Sequence, residues 1–207
     1  SYWINPASGK KATQDVSLKL LKKEIELAQR LEVPYIVLHC GSATWHEPGL
    51  STEENKLLGI KMLCATLNAV LKDTTNIQIL LENTAHGNRC LGSDFHDFPL
   101  IKQFLDYPEK VAFCVDFSHA FSFGYDLANT PFIDLLAETM GLNAIKLIHF
   151  NDSLEPMGSK KDRHALPGQG LIGTQVLQEL IKHPALCNIP KIIEIPLAEP
   201  AVMNPLL

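Results

Sequence analysis

The chain has 207 residues, 46% of them hydrophobic and 20% charged, with a mean hydropathy of +0.04. That composition suits a globular chain able to bury one sizeable core, and it excludes a disordered, collagen-like or low-complexity polypeptide. The 18 Lys and Arg against 23 Asp and Glu give a net charge of -5, so bulk charge does not favour nucleic-acid binding unless bound cations change the local sign.

The predicted elements alternate helix and strand. Val16, Leu20, Leu21, Ile25, Ala28 and Leu31 fall near helical spacing and predict an amphipathic helix over 12–31. Residues 34–39, Pro-Tyr-Ile-Val-Leu-His, are a short apolar run that reads as a buried strand. Ser51-Thr-Glu-Glu54 is a capping box that opens a helix to about Lys72. Residues 77–82 predict the second strand, a helix follows near 95–106, and 111–116 predict the third strand. Thr130-Pro131 supplies an N-cap and an N1 proline for a helix that ends before Gly141. Residues 144–149 predict the fourth strand. A long polar loop, a helix over 173–183 and a fifth strand over 191–195 complete the series.

Strands alternating with helices imply parallel βα units. The strand runs are apolar throughout, as expected of strands covered on both faces. Repeated units of this kind suit a (β/α)8 barrel or a doubly wound sheet, and no glycine-rich dinucleotide fingerprint or phosphate loop supports the second. Five strands cannot close an eight-stranded barrel. The expected fold is therefore α/β of the (β/α)8 TIM-barrel type, with about five of the eight strands in this chain. No linker or composition break divides residues 1–207, which read as a single domain.

No apolar run approaches the roughly 20 residues that span a bilayer. The segment Ser1-Tyr-Trp-Ile-Asn-Pro6 lacks a basic region followed by an apolar stretch, so no signal peptide is expected. The first Met is Met62, and the start reads as processed or cut. The five cysteines are widely spaced with no CxxC, which argues against a disulfide framework or a Cys-rich zinc ribbon and makes a reduced, cytoplasmic compartment the default. Cys114 lies in an apolar run and reads as a core residue.

The sharpest signal is the placement of His39, Glu82, Asp116, His149 and Glu194, each at or next to the C-terminal end of a separate predicted strand. In parallel α/β architectures those ends share the rim where active sites form. Glu82, Asp116 and Glu194 would repel one another in one pocket unless cations were present, and divalent metals would also hold the imidazoles neutral. Asp116-Phe-Ser-His119 puts a His three residues beyond a strand-end Asp. Asp162-Arg163-His164 is a D-x-H that points both side chains the same way if extended. Imidazole and carboxylate without thiolate suit Zn²⁺, with Mn²⁺ as a harder alternative. These eight candidates are too many for one tetrahedral site and enough for two or three ions if a carboxylate bridges. His46, His86, His96 and His183 fall off the strand-end pattern and read as surface residues, with His86 near enough to the Glu82 motif to border the site.

These residues carry a resemblance. The segments are His39-Cys-Gly-Ser42, Leu81-Glu-Asn-Thr-Ala85, Asp116-Phe-Ser-His-Ala-Phe121 with Gly124-Tyr-Asp-Leu127, His149-Phe-Asn-Asp-Ser153, Gly158-Ser-Lys-Lys-Asp-Arg-His164, Gly168-Gln-Gly-Leu-Ile-Gly173 and Ile193-Glu194. In this order the chain resembles the endonuclease IV family of apurinic/apyrimidinic endonucleases, (β/α)8 barrels with a trinuclear zinc site. The resemblance implies that Glu82 bridges two metals, one also held by His39 and the other by Asp116, His149 and Glu194. His119, Asp162 and His164 would hold the third. Glu82 and Glu194 are then the expected catalytic carboxylates. A further metal-binding His of the family lies upstream of the position matching Ser1, together with the first three strands. Tyr2 matches an aromatic of a DNA-contacting loop, and Arg163, with Lys160 and Lys161, is a candidate contact to the DNA backbone. Cys40, Ser118, Leu154 and Pro167 replace the usual proline, cysteine, lysine and Ile or Leu, and none of these removes a ligand.

The implied reaction is zinc-dependent hydrolysis of the phosphodiester 5′ to an abasic site in duplex DNA, leaving a 3′-hydroxyl, by a monomer with no membrane partner. The ligands alone imply only metal-assisted hydrolysis. The alternatives are a metal-dependent sugar isomerase or epimerase on the same barrel type, and an inactive truncated relic.

Overall fold

The structure is a computed structural model that describes residues 4–44, 49–87, 89–129 and 131–194. Its elements follow the expected alternation. Helix α1 (Lys11–Arg30) precedes β1 (Tyr35–His39), and α2 (Thr52–Leu71) precedes β2 (Gln78–Glu82). Helix α3 (Asp97–Gln103) leads to β3 (Val111–Asp116), which runs directly into α4 (Phe117–Phe123). Helix α5 (Pro131–Thr139) precedes β4 (Ile145–His149). The short strands β5 (Asp152–Ser153) and β6 (His164–Ala165), helix α6 (Thr174–Lys182) and β7 (Lys191–Ile192) complete the order.

The capping box forms as read. Ser51 Oγ accepts the Glu54 N–H at 3.2 Å, and Glu54 Oε2 accepts the Ser51 N–H at 2.7 Å. Two of the helix's first, otherwise unpaired N–H groups are thereby satisfied. Pro131 begins α5, and Thr130, its expected N-cap, lies outside the described residues.

Strands β1, β2, β3, β4 and β7 make one all-parallel sheet in that order. They form consecutive staves of a TIM barrel. Its helix side buries the larger core: Leu38, Ile79, Leu81, Phe113, Val115 and Ile148 meet side chains such as Leu63, Leu67 and Phe98. Phe98 is fully buried and meets the Phe113 ring edge-on at 5.0 Å between centroids. Truncating such a ring costs about 3–5 kcal/mol. The opposite face holds a smaller cluster of Leu80, Ala112, Cys114 and Leu147, with Tyr35 and Val37 against it. No helix among the described residues is long and apolar enough to cross a membrane.

The register sets up the rim. His39 stands opposite Glu82 and Asp116 opposite His149. A register shift between Phe113 and Cys114 passes over one residue of β4, so that Asp116 rather than Phe117 lies level with His149.

Four elements differ from the sequence expectation. The helix near 95–106 is shorter, spanning Asp97–Gln103, and the fifth strand has only Lys191 and Ile192. The segment after Asp116 is helical because Asp116 caps it: its Oδ1 accepts the His119 N–H at 2.7 Å. The long polar loop contains the antiparallel pair β5–β6. That pair is anchored by Asp152, a fully buried carboxylate that accepts N–H bonds from Ser153, Gly168, Gly170, Ile172 and Gly173 at 2.8–3.3 Å. Gly170 is required there, because a Cβ would lie 2.4 Å from the Ser153 carbonyl oxygen.

Candidate metal centre

The eight expected ligands converge. Glu82, at the end of β2, faces His39 through Oε2 at 2.9 Å and His149 through Oε1 at 2.7 Å. His149 Nδ1 also lies 3.0 Å from Glu194 Oε2 and 3.9 Å from Asp116 Oδ2. Ligating atoms of Glu82, Asp116, His149 and Glu194 all fall within 4.8 Å of one another, as do those of His39, Glu82 and His119. Glu194 reaches the group from two residues beyond β7. One carboxylate thus stands between two groups of nitrogen and oxygen donors.

The second half of the site is defined by its lone pairs. His119 sits in α4 with Nδ1 2.8 Å from the Asn83 carbonyl oxygen. His164 has its Nδ1 3.2 Å from the Glu194 carbonyl oxygen. A carbonyl only accepts, so each Nδ1 carries the hydrogen, and each neutral ring keeps a lone pair on Nε2. Those two Nε2 atoms are 3.2 Å apart, and both lie 3.2 Å from Asp162 Oδ1. Three acceptors facing one another repel unless a positive charge sits among them, a proton on an imidazole in the metal-free chain or a divalent ion in its place. The donor set, two imidazoles and a carboxylate with no thiolate, fits zinc, with manganese as the harder alternative.

The protonation pattern of the metal-free chain agrees. Burial alone would lower the His119 pKa, but the charge of Asp116 and the hydrogen bond to Asp162 outweigh it and raise it to about 10. Burial opposes ionisation of Glu82, yet the hydrogen bonds from His149 and His39 hold its carboxyl well below the usual range. Burial pushes the Asp116 carboxyl up, with the neighbouring Glu82 adding to the effect. Without a metal, protons on the imidazoles offset the clustered carboxylates, and a divalent ion would replace them.

Arg163, between two of the ligands, has an exposed side chain 3.5 Å from Glu155 Oε1. Tyr2 lies outside the described residues, as does His46. His86 is exposed at the end of the β2 loop. Burial opposes ionisation of Asp162, and the hydrogen bond and charge of His119, with smaller contributions from the charges of His164 and His86, lower its pKa. His96 pairs with Asp94, and His183 ends α6; neither belongs to the groups of ligating atoms.

Three further residues near the site carry no functional signature in the sequence. Cys114 is buried with its sulfur within 4.8 Å of ligating atoms of Glu82 and His149. Burial pushes its thiol up to about 12, so it stays protonated at neutral pH. Asn83 and Asn151 are buried between the ligands. Their signal was their position, immediately after Glu82 and two residues after His149, but an asparagine there is indistinguishable by type from a turn residue.

The fold and the rim of carboxylates and imidazoles define a class, and the comparisons agree with it: the family described as xylose isomerase-like TIM barrel matches residues 1–205. Within that class the chain belongs to the endonuclease IV family of enzymes. It is 38% identical over 196 residues to a protein named probable endonuclease 4 from Mesomycoplasma hyopneumoniae (strain 7448), covering 94% of this chain and 67% of that protein. It is 34% identical over 197 residues to the protein of that name from Heliobacterium modesticaldum, covering 94% and 68%. The crystal structure of endonuclease IV from Thermus thermophilus superposes with a TM-score of 0.76 at 29% identity, covering 97% of this chain and 68% of that one. A D-tagatose 3-epimerase-like protein shares the fold, with a TM-score of 0.68 at 22% identity. The chain spans about two thirds of the length of these relatives.

Proposed function

We propose that this chain acts as one barrel-type domain and a monomer that hydrolyses the phosphodiester 5′ to abasic sites in duplex DNA, leaving a 3′-hydroxyl, with two to three zinc ions. Glu82 would hold two ions, one shared with His39 and the other with Asp116, His149 and Glu194. His119, Asp162 and His164 would hold the third. Bound divalent ions would supply Lewis-acid polarisation of the phosphodiester and lower the pKa of water at the site.

The chain's own residues position and balance that chemistry. Glu82 and Glu194 bracket His149 Nδ1 from two sides and so fix which ring nitrogen faces the ions. The Asn83 and Glu194 carbonyls keep His119 and His164 with Nε2 turned inward. Three divalent ions bring +6 against a chain charge of -5, so the rim would be locally positive towards a polyanion. Arg163, exposed beside the ligands, would meet the DNA backbone.

The observation that carries the reading is the meeting of three lone pairs from His119, Asp162 and His164, a set that a one- or two-ion sugar isomerase site leaves without a role. The test is nicking of an abasic-site oligonucleotide duplex by the zinc-loaded protein, with and without chelator, alongside metal analysis. Nicking that stops on chelation is expected. A folded, zinc-loaded protein that leaves the duplex whole, or that turns over ketoses instead, overturns the reading.

A further inference from the structure

Asp116 is held by two buried asparagine side chains that come from different strand ends. Asn83 Nδ2 donates to the Asp116 carbonyl oxygen at 2.9 Å, and Asn83 Oδ1 accepts the Asp116 N–H at 2.7 Å. Asn151 Nδ2 donates to Asp116 Oδ2 at 2.7 Å, and Asn151 Oδ1 accepts the Glu194 N–H at 2.8 Å. The partners fix both amides: in each case one only accepts and the other only donates, so neither amide can flip without losing both bonds.

We propose that Asn83 and Asn151 are positioning residues that set the metal ligands in place before any ion arrives, Asn83 by clamping the Asp116 peptide and Asn151 by tying the Asp116 carboxylate to the Glu194 main chain. Asp116 Oδ1 accepts the His119 N–H and Oδ2 accepts Asn151. Each oxygen therefore keeps a lone pair for a cation, and the carboxylate cannot rotate without breaking a bond. Asn83 acts twice, because its carbonyl oxygen also faces His119 Nδ1. The ends of β2, β3, β4 and β7 are thereby joined by amides alone. This inference rests on the metal-site reading above, and residues of this kind typically contribute about 10- to 100-fold to metal affinity.

The test compares Asn83→Ala, Asn151→Ala and Asn151→Asp with the unaltered chain, by zinc titration against a competing chelator and by thermal melting. Asn68→Ala is the control, because Asn68 makes a similar amide clamp, to the Phe104 carbonyl and the Asp106 N–H, far from the rim. We expect zinc affinity about 10- to 100-fold weaker for the two rim alanine variants and unchanged for Asn68→Ala. Should an alanine variant fail to fold, Asn151→Asp decides. It keeps the volume and the acceptor for Glu194, but turns the donor facing Asp116 into a second acceptor. Its added negative charge alone would tighten zinc binding, whereas lost positioning weakens it. Unchanged or tighter zinc binding by the folded variants overturns the proposal. If the unaltered chain binds zinc and leaves abasic DNA intact, the endonuclease reading falls and the clamp stands. If zinc binding is indifferent to the asparagines while nicking proceeds, the clamp falls alone.

Discussion

His119 and His164 confront each other through their Nε2 atoms at 3.2 Å, each with its Nδ1 turned to a main-chain carbonyl on the far side. Rings so oriented cannot bond to each other while both are neutral. His119→Ala and His164→Ala are each expected to lower bound zinc by about one equivalent while leaving the Glu82 groups loaded. Metal analysis after exhaustive desalting reads this directly, and full retention of zinc in both variants would falsify the three-ion arrangement.

Metal-free and metal-loaded protein should differ in their response to pH. The His119 pKa is raised from an ordinary 6.5 to about 10 in the metal-free chain. A raised imidazole pKa adds stability that is complete below 6.5 and is lost as pH climbs through about 10. The metal-free melting midpoint should therefore fall between those values. Zinc displaces the imidazole protons, so the loaded protein should hold its midpoint over the same interval and release protons on loading near pH 7. Calorimetry in buffers of different ionisation enthalpy measures that release.

Saturating zinc should stabilise the fold by mass action, by about 2.7 kcal/mol at a free concentration one hundred times the dissociation constant. Denaturant titration with and without zinc checks this, and coincident curves would show that the native chain holds no ion.

Glu82→Gln keeps the shape of the side chain and removes the charge between His39 and His149. Nicking of abasic duplex is expected to drop by more than about 100-fold, since even residues one layer outside the ligands contribute about 10- to 100-fold. The drop should persist at zinc concentrations that restore a merely weakened site.

Asp152→Asn tests the anchor of β5 and β6. The carboxylate serves five N–H donors in a fully buried setting, and an amide group has only one oxygen to offer. A loss of at least about 3 kcal/mol is expected in urea denaturation. Gly170→Ala should destabilise the same loop, because its Cβ would press on a main-chain oxygen that cannot turn aside.

Much of this was legible in the sequence, for identifiable reasons. The sheet strands are mostly apolar on both faces, so their runs stand out, and the acidic or imidazole residue at the end of each, or two residues past it in β7, is conspicuous against them. Ser51 and Glu54 declare the α2 start by type and spacing. Helix α4 was not legible, because its seven residues are too few for a periodic pattern and its N-cap, Asp116, already counted as a strand-end ligand. The β5–β6 pair was hidden for a similar reason: two-residue strands carry no alternation, and their pairing depends on Asp152 gathering N–H groups as many as 21 residues away. The two rim asparagines carry no signal in the sequence because an amide shows its role only through its partners.

Among the described residues, β7 contributes Lys191 and Ile192 to the sheet, and Glu194 lies two residues beyond it. Its backbone supplies both the N–H that Asn151 accepts and the carbonyl that orients His164. Loosening this two-residue strand would release a carboxylate and an imidazole together while the rest of the core stayed packed. Such a local excursion would lie well below global denaturation in free energy, and the lifetime of any ion held at the rim would follow the fastening of those two residues.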